Sequence, residues 1–204
     1  MGRVVMAFSM SLDGFVAGPG VSVEQPMGEG GERLHEWLFN ESPDRGVDPE
    51  MARELSDSVG AVVLGRRTFE VGLGPWEDTP YPVPCFVLAH ERHENLAMPS
   101  GTFTFVNDGI EIALGKAQAV AGERDVILMG ADTAQQYLRA GLVDEIYIQL
   151  VPLVLGSGTR LFENLGTEPI ELEMTRAVKS PFVTHMRFRV LRNRPASLLH
   201  WPGE

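Results

Sequence analysis

Short apolar runs recur along the chain with helical patterns between them, and this alternation constrains the fold more than any other feature of the sequence. Each run is only four to six residues long, and most are bounded by turn-forming residues. Such runs are typical of β-strands that are buried on both faces. The five predicted strands cover residues 4–8, 61–64, 86–89, 126–129 and 146–151.

Three of the intervening segments have helical patterns. Asp48 is expected to cap the first helix, with Pro49 in its first turn. Apolar stripes at helical spacing follow in 110–121 and in 134–138, and the latter ends at Gly141, a residue suited to a left-handed helix terminus. Because each helix precedes a strand, the sequence predicts an α/β fold, a mostly parallel sheet flanked by helices.

The C-terminal part has a different pattern, because apolar and polar residues alternate in 170–175 and again in 185–190. This alternation predicts an antiparallel hairpin at one edge of the sheet. From residue 192 onward, prolines and a glycine interrupt any regular pattern. We therefore expect one domain over 1–191 and an irregular tail at 192–204.

Charge and composition exclude several classes of protein. The 28 Asp and Glu outnumber the 17 Lys and Arg, for a net charge of -11, and no basic stripe offsets this, so nucleic acid is not an expected partner. The first apolar run is far below the roughly 20 residues that span a membrane, so we expect no membrane association and a cytoplasmic location. The single cysteine, Cys85, has no metal-ligand spacing around it, and no metal is expected.

Candidate ligand-binding residues follow the predicted strands, since ligands of open α/β sheets bind beyond the carboxyl ends of the strands. Glycine, two arginines and a threonine follow the second strand at 65–68, and glycine opens a helix after the fourth strand at 130–133. Both segments are suited to phosphate groups. A third candidate is the cationic segment 89–93 after the third strand, which could reach a 2′-phosphate. The chain contains neither G-x-G-x-x-G after the first strand nor G-x-x-x-x-G-K-[ST], which disfavours a standard Rossmann site and a P-loop.

The loop after the first strand opens a glycine-rich stretch that extends to Gly31 and could close over a bound ligand. Asp13 is the carboxylate adjacent to that strand. Asp13-Gly14 is also a common turn pair, so a catalytic and a structural role are both open.

Three motifs of the chain resemble the dihydrofolate-reductase-like superfamily, and within it the C-terminal reductase domain of the bifunctional riboflavin-biosynthesis deaminase-reductase, the RibD C-terminal domain. MSLDG at 10–14 is similar to the opening of that domain, and VLGRRTF at 63–69 resembles the cofactor segment of the superfamily. LVDEI at 142–146, followed by VPLVLGSG at 151–158 and LF at 161–162, resembles a longer signature of the domain. The resemblance spans most of the chain.

The resemblance implies a stand-alone, homodimeric, NADPH-dependent reductase that transfers hydride to a small heterocyclic, pterin- or pyrimidine-like, or carbonyl substrate. Asp13, the carboxylate adjacent to the first strand, is the candidate catalytic residue. The implied cofactor residues are Gly65, Arg66, Arg67 and Thr68 near the phosphates, His90 and Arg92 near the 2′-phosphate end, and Gly130, Ala131, Asp132 and Thr133 beneath the pyrophosphate.

Two positions depart from the pattern of the superfamily. Leu34 stands where dihydrofolate reductases carry an acidic residue, and Gly130-Ala131 replaces the usual Gly-Gly. The alternatives are a riboflavin-pathway reductase acting on a ribosylamino-pyrimidine, a non-catalytic nucleotide- or ligand-binding module, and a flavin-binding protein. Trp37 is interpreted as a core residue, and the neighbouring His35 as a solvated helix histidine.

Overall fold

The computed structural model describes residues 2–42 and 44–191, so the predicted tail at 192–204 lies outside the described residues. All five predicted strands are confirmed, each within three residues of its predicted ends. The strands are β1 (Val4–Ser11), β2 (Phe15–Ala17), β3 (Val59–Gly65), β4 (Cys85–Leu88), β5 (Leu96–Ala97), β6 (Thr102–Val106), β7 (Asp125–Met129), β8 (Glu145–Val151), β9 (Thr159–Arg160), β10 (Leu172–Lys179) and β11 (Thr184–Val190). The helices are α1 (Glu36–Phe39), α2 (Asp48–Ser58), α3 (Arg66–Trp76), α4 (Ile110–Ala121) and α5 (Ala131–Arg139), and a 3₁₀ helix covers Gly31–His35.

A nine-stranded sheet, in the order β10-β11-β8-β1-β7-β3-β4-β6-β5, forms the centre of the described chain. The six neighbouring strands from β8 to β6 are parallel. Antiparallel pairs lie at the two ends, β8 with β11 and β11 with β10 at one end and β6 with β5 at the other. The prediction of a mostly parallel α/β sheet with a C-terminal antiparallel hairpin is therefore confirmed. A separate small sheet pairs β2 with β9.

Helices cover both faces of the sheet, which explains the continuous apolar runs of its strands. Val4 and Met6 of β1 belong to the core that contains residues of α4 and α5, whereas Val5 belongs to the core formed with α2 and α3. With both faces occupied, the carboxyl edge of the parallel strands is the part of the sheet that a ligand can approach.

The predicted capping role of Asp48 is wrong. The residue before α2 is Val47, and the helix has no side-chain cap. The carboxylate of Asp48 is instead buried and accepts a hydrogen bond from Nε2 of His185 on β11 at 2.7 Å. Nδ1 of His185 lies 2.9 Å from the hydroxyl of Tyr147 on β8. This partner is 137 residues away, so a local helix pattern could not indicate it.

Candidate functional site

Two glycines lie side by side at the carboxyl edge, where β3 and β7 end. The strands are parallel neighbours with Leu64 opposite Met129, so Gly65 and Gly130 follow at adjacent positions. Gly65 leads into α3 and Gly130 into α5, and neither helix has a side-chain cap. The first N–H groups of both helices are therefore available at one place, together with the positive ends of the two helix dipoles. This pair of helix starts, the Gly65–Gly130 cradle, is suited to an anion.

Two threonines explain why the cradle requires glycine. A methyl group at Gly65 would lie 2.8 Å from Oγ1 of Thr133, and one at Gly130 would lie 2.3 Å from Oγ1 of Thr68. Gly130 also has φ +88°, a conformation that favours glycine. Each threonine thus packs against the glycine of the other strand. The structure brings Gly65, Thr68, Gly130 and Thr133 together, as the sequence predicted for a single site.

The side chains around the cradle have different contacts. Arg66 forms an ion pair with Glu70 at 2.7 Å, and Nη2 of Arg67 donates to the carbonyl of Val21 at 3.2 Å. The second contact joins the glycine-rich segment of the chain to the start of α3. Ala131 is buried and Asp132 is exposed at the start of α5.

The segment after β4 contributes a residue other than those predicted. His90 and Arg92 are exposed, and their placement at the 2′-phosphate end of a cofactor stays a prediction. His93 is the residue that contacts Arg66, through Nε2 and Nη1, and its ring lies 5.1 Å from that of Phe105 on β6. Sequence reasoning missed Phe105 because β6 was not predicted, although the alternation of threonine and phenylalanine in 102–105 is a strand signal.

Asp13 lies in the turn between β1 and β2 and holds two loops together. Its carboxylate accepts hydrogen bonds from Oγ of Ser11 at 2.6 Å and from the N–H groups of Leu155 at 3.1 Å and Gly156 at 2.7 Å. The bond from Ser11 lowers the pKa of Asp13 most, and with the two backbone bonds brings it to about 2. The carboxylate is therefore ionised at neutral pH and directed at the loop after β8. Its predicted catalytic role stays a prediction.

Leu34 and Trp37 belong to an apolar cluster around α1, and His35 lies between them in the chain. Trp37 is buried, as predicted, and its Nε1 donates to Oγ of Ser9 at 2.9 Å, while Leu34 is fully buried. The interpretation of His35 as a solvated histidine is wrong. Its Nδ1 is buried and has no hydrogen-bond partner among the described residues, and burial lowers the pKa of the ring.

A cavity of about 950 Å³ lies at the opposite, amino edge of the sheet. Arginines on β11 and near β1 line it, and carboxylates pair with them: Arg3 with Glu145 at 2.7 Å, and Arg187 with Glu54 at 3.0 Å. We interpret this cavity as the space above a structural ion-pair network.

The described part of the chain contains neither a candidate membrane span nor a candidate metal cluster. No helix there is both long and apolar enough to cross a bilayer. Within residues 2–42 and 44–191, no group of three or more His, Cys, Asp or Glu is arranged to hold a metal ion.

Comparison with known proteins places the chain in a family. The uncharacterized protein YwjB of Bacillus subtilis (strain 168) is 25% identical over 173 residues, which are 81% of this chain and 86% of that protein. A putative riboflavin biosynthesis protein from Shewanella sp. PV-4 has a TM-score of 0.69 at 24% identity, covering 93% of this chain and 99% of that chain. Dihydrofolate reductase from Enterococcus faecalis, in complex with NADP(H), has a TM-score of 0.58 at 14% identity, covering 93% and 96%.

At these identities the solved structures show a shared fold, the dihydrofolate-reductase-like arrangement of a mostly parallel sheet flanked by helices. The model of the RibD C-terminal domain matches residues 3–184, nearly the whole chain. The chain belongs to the RibD C-terminal domain family.

Proposed function

We propose that the protein is an NADPH-dependent reductase that transfers hydride to a small heterocyclic, pterin- or pyrimidine-like, or carbonyl substrate. Membership of the RibD C-terminal domain family supports a reductase-type function. The Gly65–Gly130 cradle is the observation that carries the proposal. It offers two uncapped helix starts on neighbouring parallel strands, a donor set that fits the two charges of a dinucleotide pyrophosphate.

The order of the strands gives the two ends of the site different surroundings. β7 and β3 carry the cradle, with β1 on one side and β4 and β6 on the other. The loops held by Asp13 and the buried Trp37 lie on the β1 side, and Arg66 and His93 lie on the β4 side. The arrangement fits a nicotinamide near β1 and an adenosine near β4.

When bound, the nicotinamide supplies the hydride, and the protein orients the reacting groups and excludes water. The Gly65–Gly130 cradle would hold the phosphates, and Arg66 and Arg67 would add charge. Asp13 would fix the loop after β8 beside the substrate, because both of its carboxylate oxygens bind that loop. The glycine-rich segment would cover the site through the contact of Val21 with Arg67.

Titration of the purified protein with NADPH and NADH, followed by fluorescence and calorimetry at fixed salt, tests the proposal. We expect preferential binding of NADPH. In the double variant Arg66→Ala/Arg67→Ala, NADPH affinity should fall by about tenfold or more, because charge-assisted phosphate contacts are lost, and NADH affinity should fall less. Arg53→Ala, which changes an exposed arginine of α2, is the matched control.

Equal losses for the two nucleotides would contradict the assignment of the arginines to the 2′-phosphate. Absence of binding of either nucleotide to the wild-type protein would overturn the reductase proposal and redirect the search to ligands of a repurposed pocket.

A second candidate function is a nucleotide- or ligand-binding module without turnover. The fully buried Leu34 favours it, because the resemblance to dihydrofolate reductases implies an acidic residue at this position. Consumption of NADPH, measured by loss of absorbance with pterins, pyrimidines and carbonyl compounds, separates the two functions. Tight NADPH binding without consumption across the panel would support the module.

We also propose that the protein is a homodimer. The edge strand β10 exposes Leu172 and Met174, at 41% and 56%, which is apolar surface that a second copy would cover. Light scattering after size-exclusion chromatography measures the mass directly, and a monomeric mass at micromolar concentration would contradict the proposal.

A further inference from the structure

The cavity of about 950 Å³ at the amino edge of the sheet lies apart from the Gly65–Gly130 cradle. β1 and β8 begin beside it and the antiparallel β11 ends there, since Glu145 lies opposite Val5 on one side and Arg189 on the other. The cradle lies at the carboxyl edge, beyond the other end of the parallel strands. We call this space the amino-edge cavity.

The lining of the amino-edge cavity has an excess of positive charge. Its two carboxylates are Asp144, which accepts the N–H of Val4 at 2.9 Å, and Glu145, which pairs with Arg3 at 2.7 Å. The four arginines of the lining are Arg3, Arg176, Arg187 and Arg189. The whole chain has a net charge of -11 and repels anions. An anion that binds at this edge must therefore be held by the cavity itself.

Contacts from outside the lining hold two of these arginines in place. Glu54 on α2 pairs with Arg176 at 2.7 Å and with Arg187 at 3.0 Å. The guanidinium of Arg187 also lies over the ring of Tyr147, 4.5 Å from the ring centre. Because these guanidinium groups are already oriented, a ligand that contacts them loses little side-chain entropy on binding.

Arg187 has a donor that its carboxylate neighbours do not use. The side chain is 13% exposed, and its Nε is buried with no hydrogen-bond partner among the described residues. Glu145 lies 3.6 Å from Nη1, too far for a good hydrogen bond. A buried cationic donor without an acceptor is costly, so the ion pairs alone do not account for this arginine.

A β-bulge brings two residues of β10 to the cavity. The register of β10 with β11 shifts between Met174 and Arg176, which makes Thr175 the extra residue of the bulge. Bulges change the direction of side chains and are frequent beside functional sites. Thr175 and Arg176 are both part of the lining.

We propose that the amino-edge cavity binds a small polyanion with several phosphate groups close together, either a free polyphosphate or the phosphate chain of a nucleotide. Guanidinium groups match the oxygens of phosphate in geometry and charge, and their spread over β1, β10 and β11 favours several anionic groups over one. The volume of the cavity is in the range of small-molecule sites. This site goes beyond the proposed function, because none of its residues belongs to the cradle or to the loops held by Asp13.

Calorimetric titration with sodium tripolyphosphate, in a phosphate-free buffer at fixed salt, tests the site. We expect saturable binding to the wild-type protein. Arg176→Gln/Arg189→Gln should lower the affinity by about tenfold or more, because charge-assisted contacts are lost. These two side chains are 41% and 64% exposed, so the variant should fold, which circular dichroism checks. Arg33→Gln/Arg53→Gln, the matched control, removes the same charge at two exposed arginines and should keep the affinity.

Tripolyphosphate also fits the Gly65–Gly130 cradle, so a second comparison separates the two sites. Arg66→Ala/Arg67→Ala should retain the tripolyphosphate site that Arg176→Gln/Arg189→Gln weakens, and the latter variant should keep its affinity for NADPH. Titration of the Arg66→Ala/Arg67→Ala variant with ATP distinguishes the two sources of phosphate. Tighter binding of ATP than of tripolyphosphate identifies a nucleotide, weaker binding identifies a free polyphosphate, and either result supports the site.

Three results would overturn the inference: no binding of tripolyphosphate to the wild-type protein, a loss of affinity confined to Arg66→Ala/Arg67→Ala, or an equal loss in the Arg33→Gln/Arg53→Gln control. The last would show that tripolyphosphate responds only to total charge. If tripolyphosphate binds as expected and NADPH does not bind, the reductase proposal fails and the amino-edge site stands.

Discussion

Both oxygens of the Asp13 carboxylate accept hydrogen bonds, Oδ1 from Ser11 and Leu155 and Oδ2 from Gly156. These bonds favour the ionised form and lower the pKa of Asp13 from 3.8 to about 2. A lowered pKa stabilises the folded state above the ordinary value, and this contribution is lost as the pH falls toward the folded value. Asp13→Asn should therefore lower the melting temperature at pH 7, and the difference from wild type should shrink between pH 4 and 2.

Thermal unfolding followed by circular dichroism across this pH range measures the effect. Asp57→Asn, at an exposed carboxylate of α2, is the control and should change the melting temperature little at any pH. A deficit of Asp13→Asn that stays constant from pH 7 to 2 would show that the carboxylate charge does not stabilise the loop. The same variant reports on catalysis, since we expect reduced turnover with little change in cofactor affinity.

At the scale of single residues, the sequence predicted the position of a residue along a strand or helix better than it predicted which distant residue that side chain contacts. Gly65 and Gly130 lie at the ends of strands, as predicted, because a glycine after an apolar run is a local pattern, and their role in cofactor binding stays a prediction. The contacts of His93 with Phe105 and of Asp48 with His185 could not be predicted, because these residues approach one another only in the folded chain.

At the scale of elements, the starts of α3 and α5 depend on one another through Thr68 and Gly130. A Cβ at Gly130 would lie 2.3 Å from Oγ1 of Thr68, and φ at this position is +88°. Gly130→Ala should therefore lower the free energy of unfolding by about 1–3 kcal/mol. Adding Thr68→Ala removes the clash but not the backbone strain, so the double variant should be less destabilised than the sum of the two single changes.

Urea unfolding of the single and double variants measures these differences. Gly115→Ala is the matched control, because a Cβ there meets nothing within 4 Å in the middle of α4. It should be neutral or stabilising by about 0.5–1 kcal/mol. If Gly130→Ala were as stable as this control, the two helix starts would not be packed as described.

The predicted elements succeeded where burial alone determines the pattern. β3 and β7 are buried almost throughout, and their apolar runs were sufficient to locate them. β6 was missed because threonines interrupt its apolar residues, and it is only partly buried. The strands β2, β5 and β9, of two or three residues each, are too short for a periodic signal.

At the scale of the whole molecule, the α/β class and the parallel sheet follow from the alternation of strands and helices along the chain. A helix between two strands of one sheet acts as a crossover connection and makes the strands parallel. The C-terminal hairpin is predicted from the alternation of apolar and polar residues in 170–175 and 185–190. What the sequence did not show is how polar groups that are distant in the chain link α2 to the strands β11 and β8. Asp48, His185 and Tyr147 form that link across α2, β11 and β8.

This buried link predicts how the stability of the molecule depends on pH. Burial lowers the pKa of His185, and Asp48 opposes the shift without reversing it. Because the folded pKa lies below the ordinary value of 6.5, the contribution of His185 to stability is complete above pH 6.5 and is lost as the pH falls through the folded pKa.

His185→Gln removes this titration. The variant should lose about 1–3 kcal/mol of unfolding free energy at pH 8, because a buried hydrogen-bond pair is disturbed, but should show a flatter dependence between pH 7.5 and 5 than the wild type. Urea unfolding at several pH values measures both effects, with His90→Gln, at an exposed histidine, as the control that keeps the wild-type slope. An unchanged slope in His185→Gln would mean that another group sets the pH dependence, and that the link between α2 and β11 stabilises the fold without sensing protons.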